Sequence, residues 1–148
     1  MKKSMVGFLV GVGAVLAWFF RGKILGNTFD RSITLITKKG GCGIEDEPEE
    51  VTLHKLRDDR IRWEISNPAT TGCEGQRTVC IGNWRLNNVP TDVPPVTNPN
   101  GLCRQVRQGG PSKHILGNID YRAPLGEYKY DILVDNVVVQ DPIVKLTL

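Results

Sequence analysis

Apolar and polar residues alternate with period two along most of the chain after Ile24. Ile61-Arg62-Trp63-Glu64-Ile65-Ser66 sets Ile61, Trp63 and Ile65 on one face and charge on the other, as in a strand with one buried side. Glu127 to Val134 repeats the pattern with Tyr128, Tyr130, Ile132 and Val134. Comparable runs cover 31–38, 50–56, 77–85, 102–107, 113–121 and 137–147. Turn residues separate them: Asp58-Asp59, Asn67-Pro68, Gly109-Gly110-Pro111, Pro124 to Gly126 and Asp135-Asn136. No sustained helical period follows Ile24. Seven or eight short strands without intervening helices predict an all-β fold, an antiparallel sandwich or small barrel.

The opening of the chain is different. Lys2-Lys3 precede an uncharged apolar run of 16 residues, Met5 to Phe20. As a helix it would span about 24 Å, short of a bilayer core of about 30 Å, a gap that snorkelling by Lys3 and Arg21 narrows. A cleaved secretory signal is the alternative, cut after Val15-Leu16-Ala17, but it would leave Trp18-Phe19-Phe20 on the mature end. That aromatic trio ahead of Arg21 and Lys23 fits an interfacial belt better. The expectation is a single-pass anchor in the cytoplasmic membrane, contacting lipid through residues 5–20, with the C-terminal domain outside the cytoplasm. Signal cleavage would instead give a secreted or periplasmic protein. The expected division is an N-terminal anchor or signal over 1–26, a membrane-proximal strand with an acidic linker over 27–49, and a β-sandwich over 50–148.

Charge follows the same division. Residues 1–39 hold seven Lys or Arg against one acid, and residues 40–148 hold 12 against 15. The positive excess therefore lies beside the membrane and not on the folded body, which argues against a nucleic-acid partner. Four cysteines, Cys42, Cys73, Cys80 and Cys103, are an even number in an oxidising compartment, and none forms a Cys-x-x-Cys pair. Two structural disulfides are expected. Of three possible pairings, Cys42–Cys73 with Cys80–Cys103 is preferred, because Cys80 and Cys103 each sit inside a strand-like run.

Two segments break the alternation. Glu45-Asp46-Glu47-Pro48-Glu49-Glu50 carries five acids in six residues but lacks the spaced ligands and central Gly of a calcium loop, so a solvated linker is expected. Leu86 to Gly101 holds four prolines and four asparagines. A loop of that length is either functional or a crossover between sheets. Trp84, Asn87, Asn88, Asn98, Asn100 and Tyr121 are the candidate interaction residues there and at the neighbouring loop edge, whereas Trp63, Tyr128 and Tyr130 alternate as core.

Arg60-Ile61-Arg62-Trp63-Glu64-Ile65-Ser66-Asn67 resembles the cupredoxin strand that follows a Gly-Asp-x-Val-x-Trp turn and ends in Asn. Ala123-Pro124-Leu125-Gly126-Glu127-Tyr128-Lys129-Tyr130 resembles the family's entry to the strand that carries the copper cysteine. The resemblance covers roughly Glu50 to Leu148 and implies a Greek-key β-sandwich. It does not extend to the metal. Continuing the pattern lands on Ile132, and no Cys, His or Met follows, the last of each being Cys103, His114 and Met5. A blue-copper site needs two imidazoles and a thiolate, so a centre of the family type is excluded. Outside that pattern a site from His54, His114 and Cys103 is conceivable, although the plainer expectation sets His54 on the polar side of one strand and His114 at the start of another.

Hydrolytic chemistry has no better footing. Serines occur at 4, 32, 66 and 112, none in a Gly-x-Ser-x-Gly elbow. Asp120, Glu127, Asp131 and Asp135 read as strand-surface acids. The expected function is therefore a non-enzymatic accessory or protein-interaction domain with a protein partner and no cofactor. The alternatives are a metal-handling or electron-transfer module of cupredoxin descent, or a small ligand- or carbohydrate-binding module built on the 86–101 loop.

Overall fold

The computed structural model describes residues 26–148; the apolar run at 5–20 lies outside the described residues. Among the described residues no helix is long and apolar enough to cross a membrane. They form twelve strands and one 3-10 turn, Lys55–Arg57. The strands are β1 (Thr28–Lys38), β2 (Gly41–Ile44), β3 (Val51–His54), β4 (Arg60–Ser66), β5 (Gln76–Leu86) and β6 (Val89–Pro90). They continue with β7 (Val96–Thr97), β8 (Cys103–Arg107), β9 (Lys113–Ile119), β10 (Gly126–Val134), β11 (Val137–Gln140) and β12 (Ile143–Thr147).

Two curled sheets result. The first runs β2-β1-β4-β9-β7; the second runs β3-β12-β10-β5-β6, with β11 on β10 and β8 on β5. The sheets are mixed, which corrects the antiparallel expectation. β1 pairs with β4 in parallel, Phe29 opposite Ile61, and β3 pairs with β12 in parallel, Val51 opposite Val144. Both parallel neighbours are joined through the other sheet: the chain leaves β2 in the first sheet, crosses through Glu45–Glu50 to β3 in the second, and returns to β4. Parallel neighbours need such crossovers, since a tight hairpin reverses the chain.

Strand number also exceeds the expected seven or eight. β2, β6 and β7 are too short to show alternation, and the run 137–147 is cut in two at Asp141-Pro142. The acidic segment is exposed apart from Pro48, yet it is pinned: the Arg31 guanidinium donates to the Glu49 and Glu50 carbonyls, and Lys145 pairs with Glu50 at 2.8 Å.

Ile33 and Leu35 of β1, Ile61, Trp63 and Ile65 of β4, and Tyr128, Tyr130, Ile132 and Val134 of β10 meet in one core. Trp63 and Tyr130 join the sheets directly, the indole N–H donating to the phenol oxygen at 3.0 Å with ring centroids 5.6 Å apart and edge to face. Both cysteine pairs are bridged as preferred: Cys42 of β2 to Cys73, and Cys80 of β5 to Cys103 of β8. Cys80 and Cys103 are direct cross-strand partners, and the ladder bond from Ile81 to the Leu102 carbonyl places them at a non-hydrogen-bonded position, where side chains lie closest.

Asp135 and Asn136 turn the chain between β10 and β11 with φ 49° and 66°, a two-residue type I′ hairpin. The Asp135 carboxylate accepts the Thr78 amide and an Arg77 guanidinium N–H, each at 2.9 Å, and these hold it below the usual carboxylate range. A depressed folded-state pKa contributes stability above the unfolded value of about 3.9 and loses it as pH falls through the folded value. The carboxylate is partly exposed, so the contribution stays under about 1 kcal/mol after screening. Asp135→Asn should therefore melt below the parent protein at neutral pH. The gap should close as the pH is lowered past about 4; a gap constant from pH 7 to pH 2 would refute the assignment.

Candidate functional site

β5 points Val79 and Ile81 into the core, and strict alternation would aim Asn83 there next. Instead Asn83 adopts a left-handed φ of 52°. Leu86 faces Tyr128 whereas Gly82 faces Asp131, so β5 carries one extra residue opposite Tyr130. This bulge reverses the phase of the strand. Asn83 turns outward and Trp84 inward, leaving Trp84 only 7% exposed. Trp84 is thus a core residue at a loop edge and not a surface platform. Its ring lies over Tyr130, centroids 4.8 Å apart at 33°. Burial pushes the Tyr130 phenol far above its ordinary pKa, partly opposed by the hydrogen bond from Trp63. Among the described residues no group accepts the Trp84 indole N–H, although that nitrogen is buried.

On the outer face the same bulge assembles a polar group. Asn83 Nδ2 donates to Asp131 Oδ2 and Arg85 Nη2 to Asp131 Oδ1, both at 2.9 Å, and Asp131 is buried beneath them. Asn83, Trp84, Arg85, Pro90, Thr91 and Asp131 line an open cleft of about 500 Å³. It lies where the edge partner of β5 changes from β8 to β6. A small polar ligand would meet a guanidinium, an amide and an aromatic edge there. The carboxylate is already occupied by two donors, an arrangement that suits binding better than proton transfer.

The other nominated residues separate. Asn87 and Asn88, with φ 50° and 66°, form the two-residue turn between β5 and β6, where left-handed backbone favours Asn. Asn98 braces the crossover: its amide nitrogen donates to the Leu116 carbonyl at 2.6 Å and its oxygen accepts the Asn100 amide at 2.7 Å. The 86–101 segment does cross between the sheets, β6 pairing in the second and β7 in the first. Tyr121 is exposed in the β9–β10 loop, its hydroxyl donating to Asp58, whose carboxylate raises the phenol pKa. The candidates thus occupy a cleft, a hairpin, a crossover and a loop tip.

The groups of the conceivable metal set also diverge. His54 lies on β3 of the second sheet, with Nδ1 3.0 Å from the Thr147 hydroxyl; His114 is exposed on β9 of the first sheet; Cys103 is bridged. Among the described residues no three His, Cys, Asp or Glu side chains converge to hold a metal. Ile132 is fully buried on the inner face of β10, between Tyr130 and Val134 and opposite Ile81.

Sequence reasoning missed the Asn83–Arg85–Asp131 group and the buried Asp59. Gly82-Asn83 inside a strand-like run is the signal that would have marked the bulge. Asp59 accepts the Asn27 and His54 amides at 3.0 Å and the Arg57 guanidinium at 3.2 Å, tying the entry of β1 to the β3–β4 turn. The described residues form an all-β domain of two mixed sheets that carries two disulfides. It matches no known protein-family model and no curated protein.

Proposed function

We propose that the protein is a membrane-tethered, extracytoplasmic β-sandwich of cupredoxin-like, Greek-key type that works as an accessory or protein-interaction domain and not as an enzyme. The observation that carries this reading is the engagement of its buried acids in structural bonds. Asp59 holds the Asn27 and His54 amides and Arg57; Asp120 accepts the Arg122 amide and its guanidinium; Asp131 holds Asn83 and Arg85. Acid–base catalysis needs a group within reach of substrate whose lone pairs are not already committed. Chain passage between two sheets, parallel β1–β4 and β3–β12 pairs and the buried Trp63–Tyr130 contact support the cupredoxin-like reading. An apolar Ile132 in the position that the resemblance gives to the copper thiolate supports loss of the metal from that lineage. Two disulfides and no free cysteine among the described residues support an oxidising compartment.

The test is crosslinking in intact cells followed by purification of the full chain in mild detergent. One protein partner at a fixed ratio should co-elute and survive a salt wash. A chain that elutes alone after crosslinking would overturn the interaction-domain reading.

A further inference from the structure

Seven large hydrophobic residues are conspicuously exposed among the described residues, and five of them share one end of the sandwich. Leu56 sits in the 3-10 turn after β3, Val89 follows the Asn87-Asn88 turn, Tyr121 and Leu125 lie in the β9–β10 loop, and Leu148 follows β12. The pairing register places them together. β4 starts beside the end of β9 (Arg60 opposite Asn118), and β10 starts beside the ends of β5 and β12 (Tyr128 opposite Leu86, Gly126 opposite Leu146). The Lys55 ammonium links two of these loops by donating to the Tyr121 and Ala123 carbonyls. Their exposures run from 44% to 82%, unusual for residues of this size gathered on one surface. Val137 and Val138 lie beyond the Asp135-Asn136 hairpin, at the opposite end.

The chain enters the fold at that same apolar end. Gly26 packs so closely on the 3-10 turn that a Cβ there would fall 2.1 Å from the Arg57 carbonyl oxygen. Asn27 is fastened beside it, its amide on Asp59 and its carbonyl accepting the Arg60 amide at 2.8 Å. Five residues separate Phe20, the last of the apolar run, from Gly26. Even fully extended, they let this end stand at most about 20 Å from the point where the run stops.

We infer that this end of the sandwich rests in the headgroup layer of the membrane that the N-terminal segment enters, with Leu56, Val89, Tyr121 and Leu125 as the inserted tips. The inference rests on the tethered reading above. The residue chemistry suits a lipid interface: aliphatic tips reach the acyl boundary, a tyrosine sits at headgroup depth, and the exposed Arg57 and Arg122 heads stand among phosphates. Asp58, Asp120 and Glu127 lie at the same end, so apolar insertion and not net charge supplies the attraction. The opposite end, with Val137 and Val138, then faces away from the lipid and is free for a protein partner.

The test uses full-length chain in vesicles of phosphatidylcholine with a minor share of phosphatidylglycerol. An environment-sensitive nitrobenzoxadiazole dye is attached in turn through Leu56→Cys, Tyr121→Cys, Leu125→Cys and, as the opposite-end control, Val138→Cys. All four sites are exposed, so the fold should tolerate them. Doxyl-labelled lipid should remove about half or more of the emission at the first three sites, the response to a depth of some 5–10 Å. The Val138 label should keep its emission. An alkaline carbonate wash separates the two readings. Chain retained by the vesicles with the three labels unquenched overturns the seat and leaves the tether standing; chain washed off with the labels unquenched overturns both. Labels unquenched by lipid yet shielded from iodide would replace the lipid with a second copy of the chain and also overturn the seat.

Discussion

Trp63→Ala should lower the unfolding free energy by about 3–5 kcal/mol, the range for deleting a fully buried aromatic side chain. For a domain of this size that is a large share of a total of about 5–15 kcal/mol. Trp63 loses both its packing in the core and its hydrogen bond to Tyr130, the contact that joins the two sheets. A pair of milder variants separates these contributions. Trp63→Phe keeps a ring but deprives the buried Tyr130 oxygen of its donor, and should cost about 1–3 kcal/mol. Trp84→Phe removes an indole N–H that has no partner among the described residues, so its loss should stay under about 1.5 kcal/mol. Urea denaturation followed by circular dichroism gives all three values. Equal losses for the two phenylalanine variants would mean that the Trp63–Tyr130 bond contributes nothing beyond volume.

Removing either disulfide should be nearly as damaging. The bridges span 31 residues for Cys42–Cys73 and 23 for Cys80–Cys103. Loop-closure entropy released in the unfolded chain then predicts a loss of about 3–4 kcal/mol for each. In melting temperature that is roughly 10–20 °C for a domain of this length. Paired alanine variants, Cys42→Ala with Cys73→Ala and Cys80→Ala with Cys103→Ala, isolate each bridge without leaving a lone thiol. The two should differ in where the structure loosens. β2 is a four-residue edge strand held to Cys73 by the first bridge, so hydrogen exchange should quicken across Gly41–Ile44 in the first variant. β8 has four ladder pairs to β5 besides the bridged Cys80–Cys103 pair to hold it, and should keep its protection in the second. A loss below about 1 kcal/mol in both would show that the unfolded chain is already constrained without them.

The division between what local pattern specifies and what assembly specifies runs through particular elements. Alternation alone assigned Ile61, Trp63, Ile65, Tyr128, Tyr130, Ile132 and Val134 to the core, and all are buried. The Asp135-Asn136 turn was legible because two left-handed residues in succession favour Asp and Asn, and the preference for Cys80–Cys103 because each lies in a strand-like run; Cys73 lies in the β4–β5 loop and carries no such mark. These features depend on neighbours in sequence.

The remainder depends on which strands meet. A period of two tells which face of a strand is buried but neither its neighbour nor its direction, so the parallel β1–β4 and β3–β12 pairs left no mark in the residues. One inserted residue at Asn83 reversed the phase of β5, turned Trp84 into the core and made the Asn83–Arg85–Asp131 cleft, an outcome that strict alternation mispredicts. The apolar end is of the same kind: Leu56, Val89, Tyr121 and Leu125 are scattered over 70 positions of sequence and share a surface only because three connections close one end of the two-sheet domain. The sequence by itself determined the strand character, the buried face of the long strands and the expectation of two disulfides, because those follow from local periodicity and parity; which cysteines pair was decided by the fold. Tertiary structure decided strand order, strand direction and the composition of each end, because these are set by packing between residues that the chain places far apart.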